Sequence, residues 1–116
     1  MASGRLGSGA VTGSYTAGSP GGSTSWNTIY PVPTNTYSVF NVSFTNTNAT
    51  SVQIKLAVAS TATPATNEQL EYNTTIVGYG VFERTGLVAD TGKQICVSAT
   101  TSGVNANVYG IETSTQ

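Results

Sequence analysis

The chain has 116 residues, the length of one ordinary domain. Only 8% of its residues are charged, four basic and five acidic, so that the net charge is −1, and there is no histidine. Four basic residues cannot neutralise a run of phosphates, so the composition argues against a nucleic-acid partner. Its apolar runs are short, and we expect no membrane-spanning segment. A single cysteine excludes a disulfide framework within the chain.

Residues 1–25 are rich in glycine and serine and hold one charged residue, Arg5. Such a composition buries little apolar surface, and ordering this stretch would cost roughly 25 kcal/mol or more. The stretch is therefore either an unstructured tail or, as we prefer, an extended arm ordered by contacts with a neighbouring subunit. Leu6, Val11 and Tyr15 are its predicted anchors, and Arg5 is expected to pair with a carboxylate of the partner. An apolar core of the secretory type is missing, which favours synthesis in a reducing cytosol.

From Trp26 onward, apolar and polar residues alternate with the period of β-strands, and no stretch has the period of an amphipathic helix. Strands are predicted at Ile29–Val32, Tyr37–Thr45, Val52–Ala59, Leu70–Tyr72, Val81–Arg84, Leu87–Ala89, Ile95–Ala99 and Val104–Tyr109. Glycine, proline and asparagine predict the loops and turns between them, at Asn46–Thr50, 60–67, Gly78–Gly80, Asp90–Lys93 and Thr101–Gly103. Two prolines, Pro31 and Pro33, favour an edge position for the first strand.

Seven or eight short strands in about 90 residues predict an all-β fold, an antiparallel β-sandwich or jelly roll. We predict that the arm, 1–25, precedes a sandwich domain, 26–116. The core is predicted to contain Phe40, Val42, Phe44, Ile54, Leu56, Val58, Ile95, Val97 and Val108. A domain this small has a limited core and neither a disulfide nor a metal site, so we expect copies to associate.

The outer faces of the predicted strands carry Thr, Ser, Asn, Gln and Ala in place of Lys and Glu. Hydroxyls and amides cost far less to desolvate than ions, so these faces suit contact with another protein. The alternative is a solvated, threonine-rich surface. Trp26 and the tyrosines could instead form a sugar-binding platform, although core or interface positions are commoner for aromatic residues.

Few side chains could carry catalysis. Cys96 lies between Ile95 and Val97, and without a histidine as base we predict a buried structural thiol. A glycanase needs two carboxylates across a cleft, and no spacing supports a calcium site at Asp90 or the other acids. Glu83 and Arg84 are adjacent in a strand and are expected to have separate partners. We therefore expect no enzymatic activity, cofactor or metal.

Several segments resemble small virion structural proteins of tailed bacteriophages, especially those of cyanobacterial phages. The resemblance covers about residues 27–112 together with the start, MASGRL, and its signatures are turns and alternation. Phe82 stands where leucine is more usual in that group. The segments that carry it are Ile29–Pro33, Val42–Asn46, Ser51–Ala59 (SVQIKLAVA), Ile76–Val88 (IVGYGVFERTGLV) and Val104–Glu112 (VNANVYGIE).

The resemblance implies a non-enzymatic β-sandwich component of the virion, made in the host bacterial cytoplasm. Among the possible roles we favour a capsid cement (decoration) protein, because a compact knob with uncharged faces and a binding arm suits that role. Its partners would be the major capsid protein and neighbouring copies of itself, with trimers suiting local threefold positions. The alternative is a tail, collar or fibre module that binds host surface glycan through exposed aromatic residues.

Overall fold

The computed structural model describes residues 3–15, 25–64 and 68–114, and they confirm the all-β prediction. No helix in these ranges is long and apolar enough to cross a membrane. Burial alternates along the strands as the period-2 pattern predicts, most regularly in the third. The eight strands are β1 (Ser3–Ala10), β2 (Asn27–Pro31), β3 (Thr36–Asn46), β4 (Val52–Ala59), β5 (Gln69–Ile76), β6 (Val81–Ala89), β7 (Gln94–Ala99) and β8 (Val104–Ser114).

The strands form two antiparallel sheets of four strands each. Sheet A has the order β1-β8-β3-β6, and sheet B has the order β2-β7-β4-β5. Most consecutive strands therefore lie in opposite sheets, and this order is that of an eight-stranded jelly roll. One consequence is that β1 pairs with the C-terminal strand β8, so that both ends of the described chain lie in sheet A. The first predicted strand corresponds to β2, which is an edge strand as its prolines indicated.

Apolar side chains from both sheets fill the space between them. The predicted core residues are buried, except that Val58 is half-buried and packs against the core. Burying one such side chain stabilises the fold by about 1.5–3 kcal/mol, so this interior is the main source of stability. The interior also contains residues that the sequence analysis placed in the arm or left out, among them Val11, Tyr30, Leu87, Val104 and Ala106.

Three strands differ most from their predicted bounds. β5 extends to Ile76, β8 continues to Ser114, and β6 is one strand of nine residues where two short ones were predicted. Opposite β3, the register of β6 shifts between Leu87 and Arg84, which indicates a bulge. Gly86 lies in that bulge with φ +71°, a conformation that glycine adopts without strain, and pairing continues past it.

Tyr30, on the edge strand β2, links the two sheets. Its hydroxyl donates to Oε2 of Glu112 at 2.5 Å and lies 2.6 Å from Oγ of Ser38, both in sheet A. Its ring packs edge-on against Phe40, with the centroids 6.4 Å apart. Burial, reinforced by the Glu112 carboxylate, raises the pKa of Tyr30 to about 12, because ionisation would leave two negative charges together away from water.

We expect folding stability to fall as the pH rises from about 10 to about 12. A phenol with a raised pKa in the folded state stabilises the protein while it is protonated, and this stabilisation is lost between the unfolded and the folded pKa. For Tyr30 the loss is roughly 2 kcal/mol. Urea denaturation at a series of alkaline pH values measures it. The Tyr30→Phe variant should show a shallower decline, and an identical decline in that variant would contradict the assignment.

Candidate interaction surfaces

The reactive side chains are engaged in structural contacts. Cys96 is buried, as predicted, and its thiol lies 3.7 Å from Oγ1 of Thr28. Burial raises the pKa of this thiol, which keeps it protonated. The prediction that Glu83 and Arg84 have separate partners is confirmed, because Glu83 accepts from the Tyr109 hydroxyl and Arg84 is ion-paired with a glutamate on β5.

Most of the carboxylates in the part of the chain that the structure describes are held by structural partners. No three His, Cys, Asp or Glu side chains within the described ranges could hold a metal ion. Glu71 pairs with Arg84 and accepts from the Thr74 hydroxyl at 2.6 Å, while Glu112 accepts from Tyr30. Two shallow grooves flank the arm, and their walls are small polar or apolar residues without an acid, a base or a thiol.

The four predicted arm residues lie on the chain's own sandwich. Arg5 is exposed on β1, and Leu6 is half-buried against the core. Val11 is buried, and its backbone N–H donates to the Val104 carbonyl at 2.8 Å. Tyr15 is buried on the outer face of sheet B. Binding of a partner through these residues stays a prediction, and Arg5 is the one of the four whose side chain is exposed.

Tyr15 covers a buried lysine. Nζ of Lys55, on β4, lies 4.4 Å from the ring centroids of both Tyr15 and Tyr72. An ammonium at this distance is attracted to the ring faces. Burial lowers the pKa of Lys55 and raises that of Tyr15. The cluster ties the arm to sheet B, and nothing in the sequence pattern singled out Lys55 for this position.

The outer face of sheet A is partly exposed, and its charged side chains are Arg5 and Glu83, beside Tyr109 and Ser43. Val88, Val39 and Ile111 are direct cross-strand neighbours on β6, β3 and β8, and we term them the apolar row. Amides and hydroxyls occupy most of the face beyond this row. They belong to Asn41, Tyr109, Ser43, Asn107, Thr45 and Asn105, paired between β3 and β8.

One end of the sandwich has no charged residue among those described. At this end three connections between strands are joined by backbone hydrogen bonds. Thr47 N–H donates to the Gly103 carbonyl at 2.9 Å, and Tyr79 N–H donates to the Asn48 carbonyl at 2.9 Å. We term this the uncharged end; it consists of residues 47–51, 77–80 and 100–103 with the strand ends beside them. The opposite end carries Asp90, Lys93 and Glu112.

Three apolar side chains project from the uncharged end. Val77, Tyr79 and Val81 are 65%, 74% and 65% exposed, and we term them the apolar tip. The tip is the turn between β5 and β6, at the bend that Gly78 and Gly80 predicted. No function was predicted for the tip from the sequence, although an aromatic residue between two glycines was the available signal.

Asn46 lies buried beneath the apolar tip. Its Nδ2 donates to the carbonyl oxygens of Thr50 at 2.9 Å, Ile76 at 3.3 Å and Val77 at 3.0 Å. Its Oδ1 accepts from the backbone N–H of Asn48 at 2.9 Å. One amide therefore joins both connections that support the tip. From the sequence, Asn46 was predicted only to start a turn, because nothing in the sequence around it distinguishes it from the other asparagines nearby.

No protein-family model matches this chain, and no curated protein matches it. Its structure is similar to the capsid asymmetric unit of cyanophage Pam1, with a TM-score of 0.40 and 18% sequence identity. The likeness covers 93% of this chain and 83% of that one. At this TM-score the likeness does not establish a shared fold.

Proposed function

We propose that this chain is a non-enzymatic virion structural protein that acts as a capsid cement (decoration) protein. It would bridge subunits of the major capsid protein on an assembled shell, with neighbouring copies of itself, as trimers, at local threefold positions. The observation that carries the proposal is the exposed surface of apolar groups, amides and hydroxyls at the uncharged end and along the apolar row of sheet A, which costs less to desolvate against a protein than ions do. The resemblance of several segments to small virion proteins of tailed phages suggests that the partner is the major capsid protein.

The jelly roll fits this proposal without deciding it. Such sandwiches occur in viral capsid domains and also in lectins, so the fold alone does not identify the function. The exposed surfaces support the proposal. Here the space between the sheets is filled by apolar side chains, and Glu71, Glu83, Glu112 and the thiol of Cys96 take part in structural contacts. What the described surface offers is area for contact with another protein.

A cement protein works by linkage. It binds the assembled shell and not the separated subunits, so it stabilises the assembled state by about 2.7 kcal/mol per site when its free concentration is a hundredfold above Kd. A standard interface buries about 1,600 Å². Moderate affinity at each contact is sufficient, because contacts made together raise the effective concentration of one another.

We expect the full-length protein to sediment with undecorated heads on a density gradient and not with dissociated major capsid protein. Heads that carry it should also rupture at a higher temperature than bare heads, because a ligand of the assembled state stabilises that state. Purified tails and host envelope serve as parallel samples. Sedimentation with tails, or with host envelope alone, would contradict the cement role and support the tail, collar or fibre module that binds glycan.

A further inference from the structure

The apolar tip places a tyrosine where a glycine would be relaxed. Tyr79 has φ +57°, and it occupies the third position of a turn closed by a 2.9 Å hydrogen bond from Gly80 N–H to the Val77 carbonyl. This position commonly takes glycine, because a side chain in the left-handed region is strained. Strain held at an exposed position points to a function for the side chain concerned. The ring of Tyr79 is the most exposed large hydrophobic side chain in the described ranges.

The turn is held rigidly against its neighbour. A Cβ at Gly78 would lie 2.1 Å from the Ala49 carbonyl oxygen, so only glycine allows this approach. Tyr79 N–H donates to the Asn48 carbonyl at 2.9 Å, and Asn46 holds the turn from below. A side chain presented on a fixed backbone loses little conformational entropy when it binds, which favours affinity.

The surroundings of the two exposed apolar surfaces differ in charge. The outer face of sheet A, on which the apolar row lies, also carries Arg5 and Glu83. Val81 lies two residues from Glu83 on that face, whereas Val77 and Tyr79 lie in the turn at the uncharged end, where the described segments contain no charged residue. Enclosing Tyr79 and Val77 in a partner therefore desolvates no ion, whereas covering the sheet face with the row brings charges with it.

We infer that the apolar tip inserts into an uncharged, apolar recess on the protein of the assembled shell, with Tyr79 as the central anchor. This inference rests on the proposed function and names the end of the molecule that docks. Tyrosine is enriched among residues that dominate protein–protein affinity, and such anchors lie in the desolvated centre of a contact with apolar neighbours around them. Val77 and Val81 take that surrounding position beside Tyr79.

Full-length Tyr79→Gly tests the anchor by binding to undecorated heads and by thermal unfolding. Shell affinity should fall about 30-fold or more, as for a central anchor. The unfolding temperature should not fall, because glycine relieves the strained φ. A merely structural tyrosine would show the reverse, with lower stability and unchanged affinity. Asn35→Gly is the matched control, since Asn35 also has a positive φ, of 56°, but lies outside the tip.

Val81→Ser and Val88→Ser form a second matched pair, because both valines lie on β6 and are 65% and 63% exposed. Val81→Ser should weaken shell binding about 5-fold, and Val88→Ser should change it less than 2-fold.

If wild-type protein binds heads and neither Tyr79→Gly nor Val81→Ser weakens binding, the inference is overturned and the proposed function stands. A loss confined to Val88→Ser overturns it in favour of the apolar row. A change in oligomeric mass of Tyr79→Gly, seen by light scattering with shell affinity intact, overturns it in favour of a second copy as the occupant. If wild-type protein binds no heads, both the inference and the proposed function fail.

Discussion

Replacing Asn46 by alanine is expected to lower the free energy of unfolding by about 3–4 kcal/mol. The side chain is 1% exposed, its two amide N–H groups are shared among three backbone carbonyls, and its oxygen accepts from one backbone N–H. Alanine leaves all four backbone groups without this partner in a site that water reaches poorly, and each lost hydrogen bond costs about 1 kcal/mol or somewhat more. Chemical denaturation measures the loss as a lower midpoint at an unchanged slope.

Two further variants separate this network from a general effect of losing an amide. Asn46→Asp preserves the size and the acceptor but removes the donor, and it should destabilise the protein about as much as alanine does. Asn41→Ala removes an exposed contact, a 3.1 Å bond from Gly86 N–H, and should cost less than about 1 kcal/mol. Equal losses in Asn46→Ala and Asn41→Ala would contradict the role of Asn46 as the joint between the two connections.

Strand positions and the core could be predicted from the sequence because both follow from alternation. In β3 the buried residues Phe40, Val42 and Phe44 occupy one face, as the period of two requires. The hairpin at Asp90–Lys93 was equally legible, since Gly92 has φ +84° and Lys93 N–H returns to the Asp90 carbonyl. These features depend on residues close together in the sequence, so they could be predicted without knowing the long-range contacts.

The covered outer face of sheet B could not be predicted in this way. Alternation along β4 and β7 places Lys55 and Ser98 on the side away from the core, where exposure is expected, yet both are buried. The cover comes from distant segments. Tyr15 lies over Lys55, and Ser98 Oγ donates to the carbonyl of Ser25 at 2.8 Å. A period-2 pattern indicates which face of the sheet a residue occupies, but it does not indicate whether another segment of the chain covers that face.

The alternation of polar and apolar residues also could not predict which strands pair within each sheet. Pairing of β1 with β8 joins residues about a hundred positions apart, and the glycine-rich composition of β1 suggested an arm and no strand. The apolar tip lies between these cases. Its bend was predicted from two glycines, whereas the exposure of Tyr79 depends on the contact of Gly78 with Ala49 from another connection. A long-range contact thus converts a local turn into a rigid projection.

The two ends of the sandwich differ in charge. Asp90, Lys93 and Glu112 lie at one end of the sandwich, and the apolar tip lies at the other. An elongated body of 45 × 27 × 19 Å with such a difference can present one end to a partner and the other to water. Lys55, Glu71, Glu83 and Arg84 lie along the body between the two ends, so the charge declines toward the end that carries the tip.

Replacing Gly110 by alanine is expected to lower the free energy of unfolding by about 3 kcal/mol or more. Gly110 lies in β8, paired with Gly4 on one side and with Phe40 on the other. A Cβ there would lie 2.0 Å from the Val39 carbonyl oxygen and 2.6 Å from Cα of Phe40. Both atoms belong to a central backbone that cannot move aside like a flexible side chain, so the two strands must separate and lose hydrogen bonds. A glycine inside a strand is the sequence signal for such a close approach.

Gly86→Ala is the matched control for this clash. Gly86 has φ +71° and no atom within 4 Å of the position that a Cβ would take, so alanine there adds backbone strain and no overlap. Such strain costs about 1–2 kcal/mol. Denaturation of the two variants beside the wild type should therefore show the larger loss at Gly110. A loss at Gly110 no greater than that at Gly86 would mean that β3 and β8 yield to the added methyl group, and that this pair of strands is not the rigid centre of sheet A.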